Sequence, residues 1–187
     1  MAHVTATMRM ESAVRVEDDG NEAGATHGTP NAGYTRLVNE KFRHRFLVQE
    51  VGGGPSTNFE EHIEFSLNGG AWTTPAGNQA VSYTTSGFYL DGDDTTQRLG
   101  AGSFLGTNGG MTEDNTVGES NIPDFAGNDE CEFEFALVIQ RANVTDGDTI
   151  RLRLVNSANP LDEYNAASLF DITVDKPANP RRVVLLG

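Results

Sequence analysis

The chain has 187 residues, a formal net charge of −14 and a predicted isoelectric point of about 4.5. This length supports one domain with a single hydrophobic core. The acidic balance argues against nucleic acid or an anionic membrane as the main partner, because both would repel such a surface, although the same charge also suits solubility alone. The single cysteine, Cys131, excludes an intramolecular disulfide, and we expect it to be a small buried apolar residue.

The first third of the chain predicts strands joined by polar connections. Residues 4–16 alternate weakly between apolar and polar side chains, which indicates a strand, and the acidic run that follows to Glu22 predicts an exposed loop. We assign residues 1–41 to this strand and a long connecting arm. The next strand runs from Phe42 to Val51. One of its faces carries Phe42, His44, Phe46 and Val48, and the other carries Arg43, Arg45, Leu47 and Gln49.

A hairpin follows. Ile63, Phe65 and Leu67 alternate with polar residues and precede Asn68-Gly69-Gly70, a sequence that supplies the positive φ values of a type I′ turn. The residues around Trp72 are therefore expected to pair back on the strand before the turn. Shorter apolar stretches after it, bounded by Gly and Asp, predict further short strands.

The strongest strand pattern runs from Cys131 to Arg141. Its predicted core face carries Cys131, Phe133, Phe135, Leu137 and Ile139, and its other face carries Glu132 and Glu134. Asp146-Gly147-Asp148 predicts a turn into a strand where Arg151 and Arg153 alternate with apolar residues. We expect these two strands to form a hairpin, with the glutamates and arginines sharing a solvent face.

These patterns together predict an all-β fold, an antiparallel sandwich of the immunoglobulin-like or jelly-roll kind with long loops. Residues 42–175 form its core, and the first strand comes from residues 1–16. Residues 176–187 form an extended C-terminal tail. The tail residues that we expect to make contacts, either with an edge of their own domain or with a neighbour's sheet, are Arg181, Arg182, Val183, Val184, Leu185 and Leu186.

No residue pattern predicts catalysis. The chain has no Gly-x-Ser-x-Gly turn, and one cysteine with scattered histidines does not supply a zinc site. We therefore expect a protein that is not an enzyme. Calcium is the cofactor to consider, with Asp91, Asp93 and Asp94 as candidate ligands, but we favour ordinary turns because Asp-Gly-Asp recurs at Asp146.

Trp72 and Tyr89 are candidate ligand-binding residues, since exposed aromatic rings stack on sugars. Together with Tyr83, Phe88 and Tyr164 they would form a platform for a carbohydrate, although packing in the core is the more common role for most of these rings. This keeps open an alternative function, a carbohydrate- or cell-surface-binding module of a phage tail fibre or surface layer.

Several phrases resemble β-rich virion proteins of tailed phages. The phrases are Val16-Glu17-Asp18-Asp19-Gly20-Asn21-Glu22, Phe46-Leu47-Val48-Gln49-Glu50, Ser66-Leu67-Asn68-Gly69-Gly70-Ala71-Trp72 and Asp94-Thr95-Thr96-Gln97-Arg98-Leu99-Gly100, with the Glu-Phe-Glu-Phe strand before Asp146. The resemblance implies a particle protein, such as a head decoration (cement) protein or a tail-associated module, and it carries no catalytic motif.

The function that we expect from this resemblance is a capsid decoration protein that stabilises the particle through oligomeric and arm-mediated contacts. Its partners would be the major capsid protein or other virion proteins, together with further copies of itself, and neither nucleic acid nor membrane. The N-terminus has no basic segment followed by an apolar stretch, so we expect synthesis in the host cytoplasm and final location in the virion.

Overall fold

The computed structural model describes residues 5–57, 59–113 and 124–178, and it confirms the all-β sandwich. In chain order the strands are β1 (Met8–Glu17), β2 (Tyr34–Leu37), β3 (Lys41–Glu50), β4 (Glu61–Leu67), β5 (Trp72–Thr73), β6 (Val81–Tyr83), β7 (Ser103–Phe104), β8 (Met111–Thr112), β9 (Asp129–Ile139), β10 (Thr149–Asn156), β11 (Asn159–Pro160), β12 (Glu163–Tyr164) and β13 (Ile172–Asp175). The helical elements of the described ranges are two 3-10 turns, Arg141–Asn143 and Ala166–Ser168. Neither has the length and hydropathy that crossing a membrane requires.

Two sheets enclose the core. Sheet A has the order β12-β1-β3-β9-β6, with β7 and β8 also paired to β9, and sheet B has the order β2-β13-β10-β4-β5, with β11 paired to β10. The long ladders are antiparallel, but the pairs β1–β12, β2–β13, β7–β9 and β8–β9 are parallel. The sheets are thus mixed, whereas the sequence pattern had predicted antiparallel pairing throughout.

The predicted core face of β9 is confirmed. Cys131, Phe133, Phe135, Leu137 and Ile139 are all 0 % exposed and belong to one apolar cluster that both sheets line. Burial raises the pKa of the Cys131 thiol, as expected for a packed and unreactive cysteine.

A bulge in β1 changes which of its residues face the core. The register with β3 shifts between Met10 and Ser12, so one extra residue separates the two halves of the strand. Met8 and Met10 pack in the core before the bulge, and Ala13 does so after it. Val14 and Val16 therefore face the outside of sheet A, where they pack against Ala25.

The predicted β4–β5 hairpin is confirmed. Phe65 pairs with Thr73 and Ser66 pairs with Trp72. Asn68 and Gly69 at the turn have φ values of 51° and 71°, which fit the type I′ turn that an Asn-Gly pair favours.

The predicted β9–β10 hairpin is wrong. β9 pairs with β3 and β6 in sheet A, whereas β10 pairs with β4 and β13 in sheet B. The connection contains the 3-10 turn Arg141–Asn143 before the turn at Gly147, and this extra length carries the chain from one sheet to the other. The two strands therefore contribute to the same core from opposite sheets, and their charged residues do not share a face.

Residues 8–37 contribute a strand to each sheet. β1 lies inside sheet A between β12 and β3, and β2 forms an edge of sheet B beside β13. The part of residues 1–41 that the structure describes is thus built into the sandwich, and Val38 belongs to the main core cluster.

Candidate functional site: a loop layer on a buried ionic layer

The outer face of β3 and β9 is covered by loops. Arg43, Arg45, Glu132 and Glu134 project from this face, and all four are 0 % exposed. The solvent face predicted for the β9 glutamates is therefore wrong. Two segments, residues 18–26 and residues 84–113, bond to these side chains and to the backbone of β9, and we call them the loop layer.

Strand register brings the opposite charges together. Arg45 pairs directly with Glu134, and Arg43 and Glu132 occupy the diagonal positions on either side. The Nε of Arg45 lies 2.6 Å from a Glu134 oxygen, and its Nη1 lies 3.2 Å from a Glu132 oxygen. The Nη1 of Arg43 lies 3.1 Å from the other Glu134 oxygen. Burial alone would lower the pKa of Arg45, but the carboxylates, with Glu134 first, raise it.

Glu22 joins the first loop to this network, and we call the five side chains Arg43, Arg45, Glu132, Glu134 and Glu22 the ionic layer. The Glu22 carboxylate accepts from Nη2 of Arg45 at 2.7 Å and from Nε of Arg98 at 3.1 Å. It also accepts from Oγ1 of Thr96 at 2.8 Å. Burial would raise the pKa of Glu22, but the hydrogen bonds from Arg98 and Arg45 lower it to about 2. Glu22 therefore stays ionised and ties both loops to β3.

Glu132 holds the second loop by its backbone. Its Oε1 accepts the amide N–H groups of Arg98 at 2.7 Å, Leu99 at 2.6 Å and Gly100 at 3.3 Å. Glu130 accepts the amide of Gly102 at 2.7 Å in the same manner. Hydrogen bonds from backbone amides to a carboxylate are short and directional, so each strand glutamate sets the path of a loop segment.

Arg43 contacts both segments of the loop layer. It donates to the carbonyl oxygens of Glu17 and Gly20, at 2.9 and 2.8 Å. Its guanidinium lies 5.5 Å from the ring centroid of Tyr89, and the Tyr89 hydroxyl donates to the Thr112 carbonyl at 3.1 Å. Tyr89 is 7 % exposed. The Tyr89 ring, a candidate for ligand binding, thus packs against Arg43 and leaves little of its surface to solvent.

The two residues next to Tyr89 in the chain have exposed side chains. Within the described ranges, Phe88 and Leu90 are the large apolar side chains that stand exposed, at 45 % and 72 %. The Phe88 amide donates to Oγ of Ser86 at 3.1 Å, and that hydroxyl donates to Asp18 at 2.6 Å. We call Phe88 and Leu90 the apolar pair. The pair lies on either side of a buried tyrosine, and Ser86 links its segment to Asp18 of the first loop.

The three candidate calcium ligands each hold a backbone amide. Asp91 accepts from Glu113 N at 2.8 Å, Asp93 from Leu90 N at 2.8 Å and Asp94 from Gly109 N at 2.9 Å. The Asp93 bond closes a turn, whereas the Asp91 and Asp94 bonds tie distant parts of the second loop together. Residues 5–57, 59–113 and 124–178 contain no group of three or more His, Cys, Asp or Glu side chains placed to hold a metal ion.

Trp72 lies in β5 of sheet B, whereas the loop layer covers sheet A. The guanidinium of Arg153 stacks at 4.4 Å from its ring centroid and lies 5.6 Å from that of Tyr164. Arg153 is also paired with Glu64, at 2.5 Å. One face of the Trp72 ring is thus covered by its own chain, and the aromatic residues expected to form one platform are dispersed over both sheets. The tail residues Arg181 to Leu186 lie outside the described residues.

Two histidines are held neutral. His44 is buried in the core beside the Tyr34 hydroxyl, at 3.2 Å, and burial lowers its pKa to about 3. His27 lies beside the ionic layer, where burial and the charges of Arg45 and Arg98 lower its pKa to about 4. Both rings therefore resist protonation at neutral pH.

The arrangement defines an all-β sandwich whose polar interior serves to hold loops. Glu132 and Glu134 are each bonded to arginines, and Glu132 also to amides, so neither carboxylate is presented to a substrate. No family model, curated protein or solved structure matches the chain.

Proposed function

We propose that the protein is a non-enzymatic binding module, a virion decoration protein that attaches to the surface of a capsid shell through the apolar pair of its loop layer. The observation that carries this proposal is the exposure of Phe88 and Leu90, at 45 % and 72 %, on a segment that is anchored at Tyr89. Isolated apolar side chains are ordinary on surfaces, but two exposed ones on either side of a buried residue that anchors their segment have the form of an interface anchor.

Anchoring favours binding because the loop is ordered before it meets a partner. Tyr89 is bonded to Thr112 and packs on Arg43, and the Leu90 amide is bonded to Asp93. Association loses conformational entropy for every segment that it orders, so a segment held in advance loses less. Two preordered apolar side chains then transfer to a partner's pocket at little further cost.

The acidic residues around Phe88 indicate a partner surface with basic residues. Glu22, Asp93 and Asp94 border the same surface depression as Phe88, and the whole chain carries −14. An acidic rim around an apolar centre fits an apolar socket with basic residues at its edge. A capsid shell repeats each of its surface features many times, so copies that self-associate and bind such a repeated socket would gain lasting attachment from individually weak contacts. The resemblance to virion proteins points to the same partner.

The test is co-sedimentation of the protein with particles of the virus that encodes it, after removal of their own copies. The double variant Phe88→Ser/Leu90→Ser is expected to lower affinity by at least about tenfold, as loss of an interface anchor does. The matched control is Ala71→Ser/Ala76→Ser, at two exposed positions on the opposite sheet edge, and it should bind as the unaltered chain does.

Unfolding of each variant in urea checks that the fold is intact. Equal occupancy of particles by the double variant and the unaltered chain would refute the role of the apolar pair. Absence of particle binding by the unaltered chain, with binding to a glycan array instead, would favour the carbohydrate-binding alternative.

A further inference from the structure

Carboxylates far outnumber cationic side chains in this protein. The sequence holds 27 Asp and Glu residues against 13 Lys and Arg residues, and two of those 13, Lys41 and Lys176, are lysines. The place of each charge in the fold decides what the excess does, because charges paired inside a protein and charges that face water respond differently to dissolved salt.

Every cationic side chain of the described residues already has a partner. Among the arginines, all but Arg141 lie between 2.5 and 3.2 Å from a carboxylate oxygen. Arg141 donates to the Pro177 carbonyl, and the two lysines, Lys41 and Lys176, donate to backbone carbonyls at 2.6 and 2.5 Å. The described part of the chain therefore holds no cationic side chain without a partner.

Six surface aspartates lack a cationic partner. All six are exposed, and none is ion-paired to a Lys, Arg or His side chain of the described residues: Asp93, Asp94, Asp124, Asp146, Asp162 and Asp175. Some of them accept a backbone amide, as Asp162 does from Met8 and Asp146 from Lys176, but an amide carries no net charge. The negative charge of these carboxylates is therefore left to the solvent.

Unpaired surface charges of one sign destabilise a compact fold, because unfolding moves them apart. The repulsion acts over the Debye length, which is about 10 Å at 0.1 M salt and about 3 Å at 1 M. In dilute solution the carboxylates of neighbouring turns and strand ends thus repel one another across the surface. In molar salt each of them is screened from the rest.

The buried ion pairs respond to salt much less. Arg43, Arg45, Glu132 and Glu134 are 0 % exposed, so dissolved ions do not come between them. Salt therefore weakens the repulsion at the surface and leaves the attractions that hold the loop layer on sheet A. The two effects add up to a fold that gains stability as the salt concentration rises.

We infer that the fold is adapted to concentrated salt, which stabilises it by screening the exposed aspartates, and that it loses stability in dilute solution. The observation that carries this inference is the commitment of every described cationic side chain to a partner, which leaves only dissolved cations to screen the surface. The charge of −14 then has a role in stability and not in solubility alone. This inference is independent of the apolar pair and of the proposed function.

Thermal unfolding of the full-length chain in KCl tests the inference. Melting is followed at pH 7 by circular dichroism and by the emission of Trp72. KCl is used because sulfate and phosphate strengthen apolar burial in any protein. The melting temperature is expected to rise by about 5–15 °C between about 0.1 M and about 2 M KCl. An equal or lower melting temperature in the concentrated salt would overturn the inference.

Charge variants separate screening from other effects of salt. Asp124 and Asp175 are exposed, and their side chains make no hydrogen bond or ion pair to another described residue. The variant Asp124→Lys/Asp175→Lys lowers the net charge from −14 to about −10. Because repulsion scales with the square of the net charge, the rise in melting temperature should fall to about half. The matched control Asp124→Glu/Asp175→Glu keeps the charge and should show the full rise. Equal rises in the two variants would overturn the inference, because they would assign the rise to apolar burial.

A second control concerns association between copies, which also raises a melting temperature. Each measurement is therefore repeated at a tenfold higher protein concentration. Screening within one chain predicts the same rise at both concentrations. A rise confined to the higher concentration would overturn the inference, because it would come from contacts between copies.

Discussion

Replacing Arg45 by methionine tests whether the ionic layer holds the sandwich and its loops together. Arg45 is 0 % exposed and bonds to Glu134 at 2.6 Å, to Glu132 at 3.2 Å and to Glu22 at 2.7 Å. Methionine fills much of the same space without charge, so the variant leaves buried carboxylates without their main cation. Removing one partner of a buried ion pair costs about 3–5 kcal/mol of unfolding free energy. For a chain of this size that loss lowers the melting temperature by about 6–20 °C.

The assay is equilibrium unfolding in urea, followed both by circular dichroism and by the emission of Trp72, the single tryptophan. Coincident transitions justify a two-state free energy. The matched control is Arg151→Met, because Arg151 is also bonded to an acid at 2.6 Å, yet its side chain is 49 % exposed. An exposed pair of this kind is worth about 0–1 kcal/mol.

A second substitution separates charge from packing. Glu134→Met in the Arg45→Met background removes the carboxylate that has lost its closest cation, so the double variant should be more stable than the sum of the two single losses, by about 1–3 kcal/mol. A loss below about 1 kcal/mol for Arg45→Met, equal to that of Arg151→Met, would refute the reasoning, because it would mean that water or rearranged loops replace the arginine.

Three further predictions concern protons and space. The unfolded chain binds a proton at His44 below about pH 6.5, whereas the folded chain does not until about pH 3, so the unfolding free energy falls on acidification through that interval. Between pH 8 and pH 5 His44 accounts for a loss of about 2 kcal/mol. Urea titrations of His44→Phe at the two pH values should lack this loss. The pKa of Glu22 is lowered from 4.5 to about 2, so its ion pairs contribute stability above pH 4.5 that is lost as the pH falls toward 2. In Glu22→Gln the melting temperature should therefore fall less steeply with pH between 4.5 and 2. An unchanged slope would contradict the ion pairs described. A Cβ at Gly110 would clash with the backbone carbonyl oxygen of Glu132, so Gly110→Ala should lower the unfolding free energy by about 1–3 kcal/mol. The control Gly77→Ala, whose Cβ meets nothing within 4 Å, should change it by less than about 0.5 kcal/mol.

The strands could be predicted where one strand face is apolar and where a turn contains residues that favour positive φ values. The alternation from Cys131 to Ile139 and the Asn68-Gly69 turn are both local signals, and the structure confirms both. The pairing of β9 was not predictable in this way. Turn residues around Gly147 are equally suited to a hairpin and to a crossing between sheets, and the partner of a strand depends on residues far along the chain.

The candidate site was missed for a related reason. A period of two separates the faces of a strand but does not say whether the polar face meets water or a loop. The signal that was available lay in charge: arginines at Arg43 and Arg45 and glutamates at Glu132 and Glu134 have the same spacing and opposite sign. Two such stripes complement each other only when their strands are neighbours, so they favour β3–β9 pairing over exposure.

The ionic layer explains how the loop layer is positioned without a large apolar core of its own. The apolar clusters on this side of sheet A have three buried residues each, Val14, Val16 and Ala25 in one and Tyr89, Met111 and Ala136 in the other, and clusters so small contribute little burial free energy. Charged hydrogen bonds from the strands to loop amides and carboxylates are directional, so they fix where each segment lies as well as holding it. The side chains that make these bonds are buried, while Phe88 and Leu90 make none of them. Stability and binding should therefore respond to different substitutions: Arg45→Met should lower the stability of the fold, and changes to the apolar pair should alter attachment while leaving the unfolding free energy nearly unchanged.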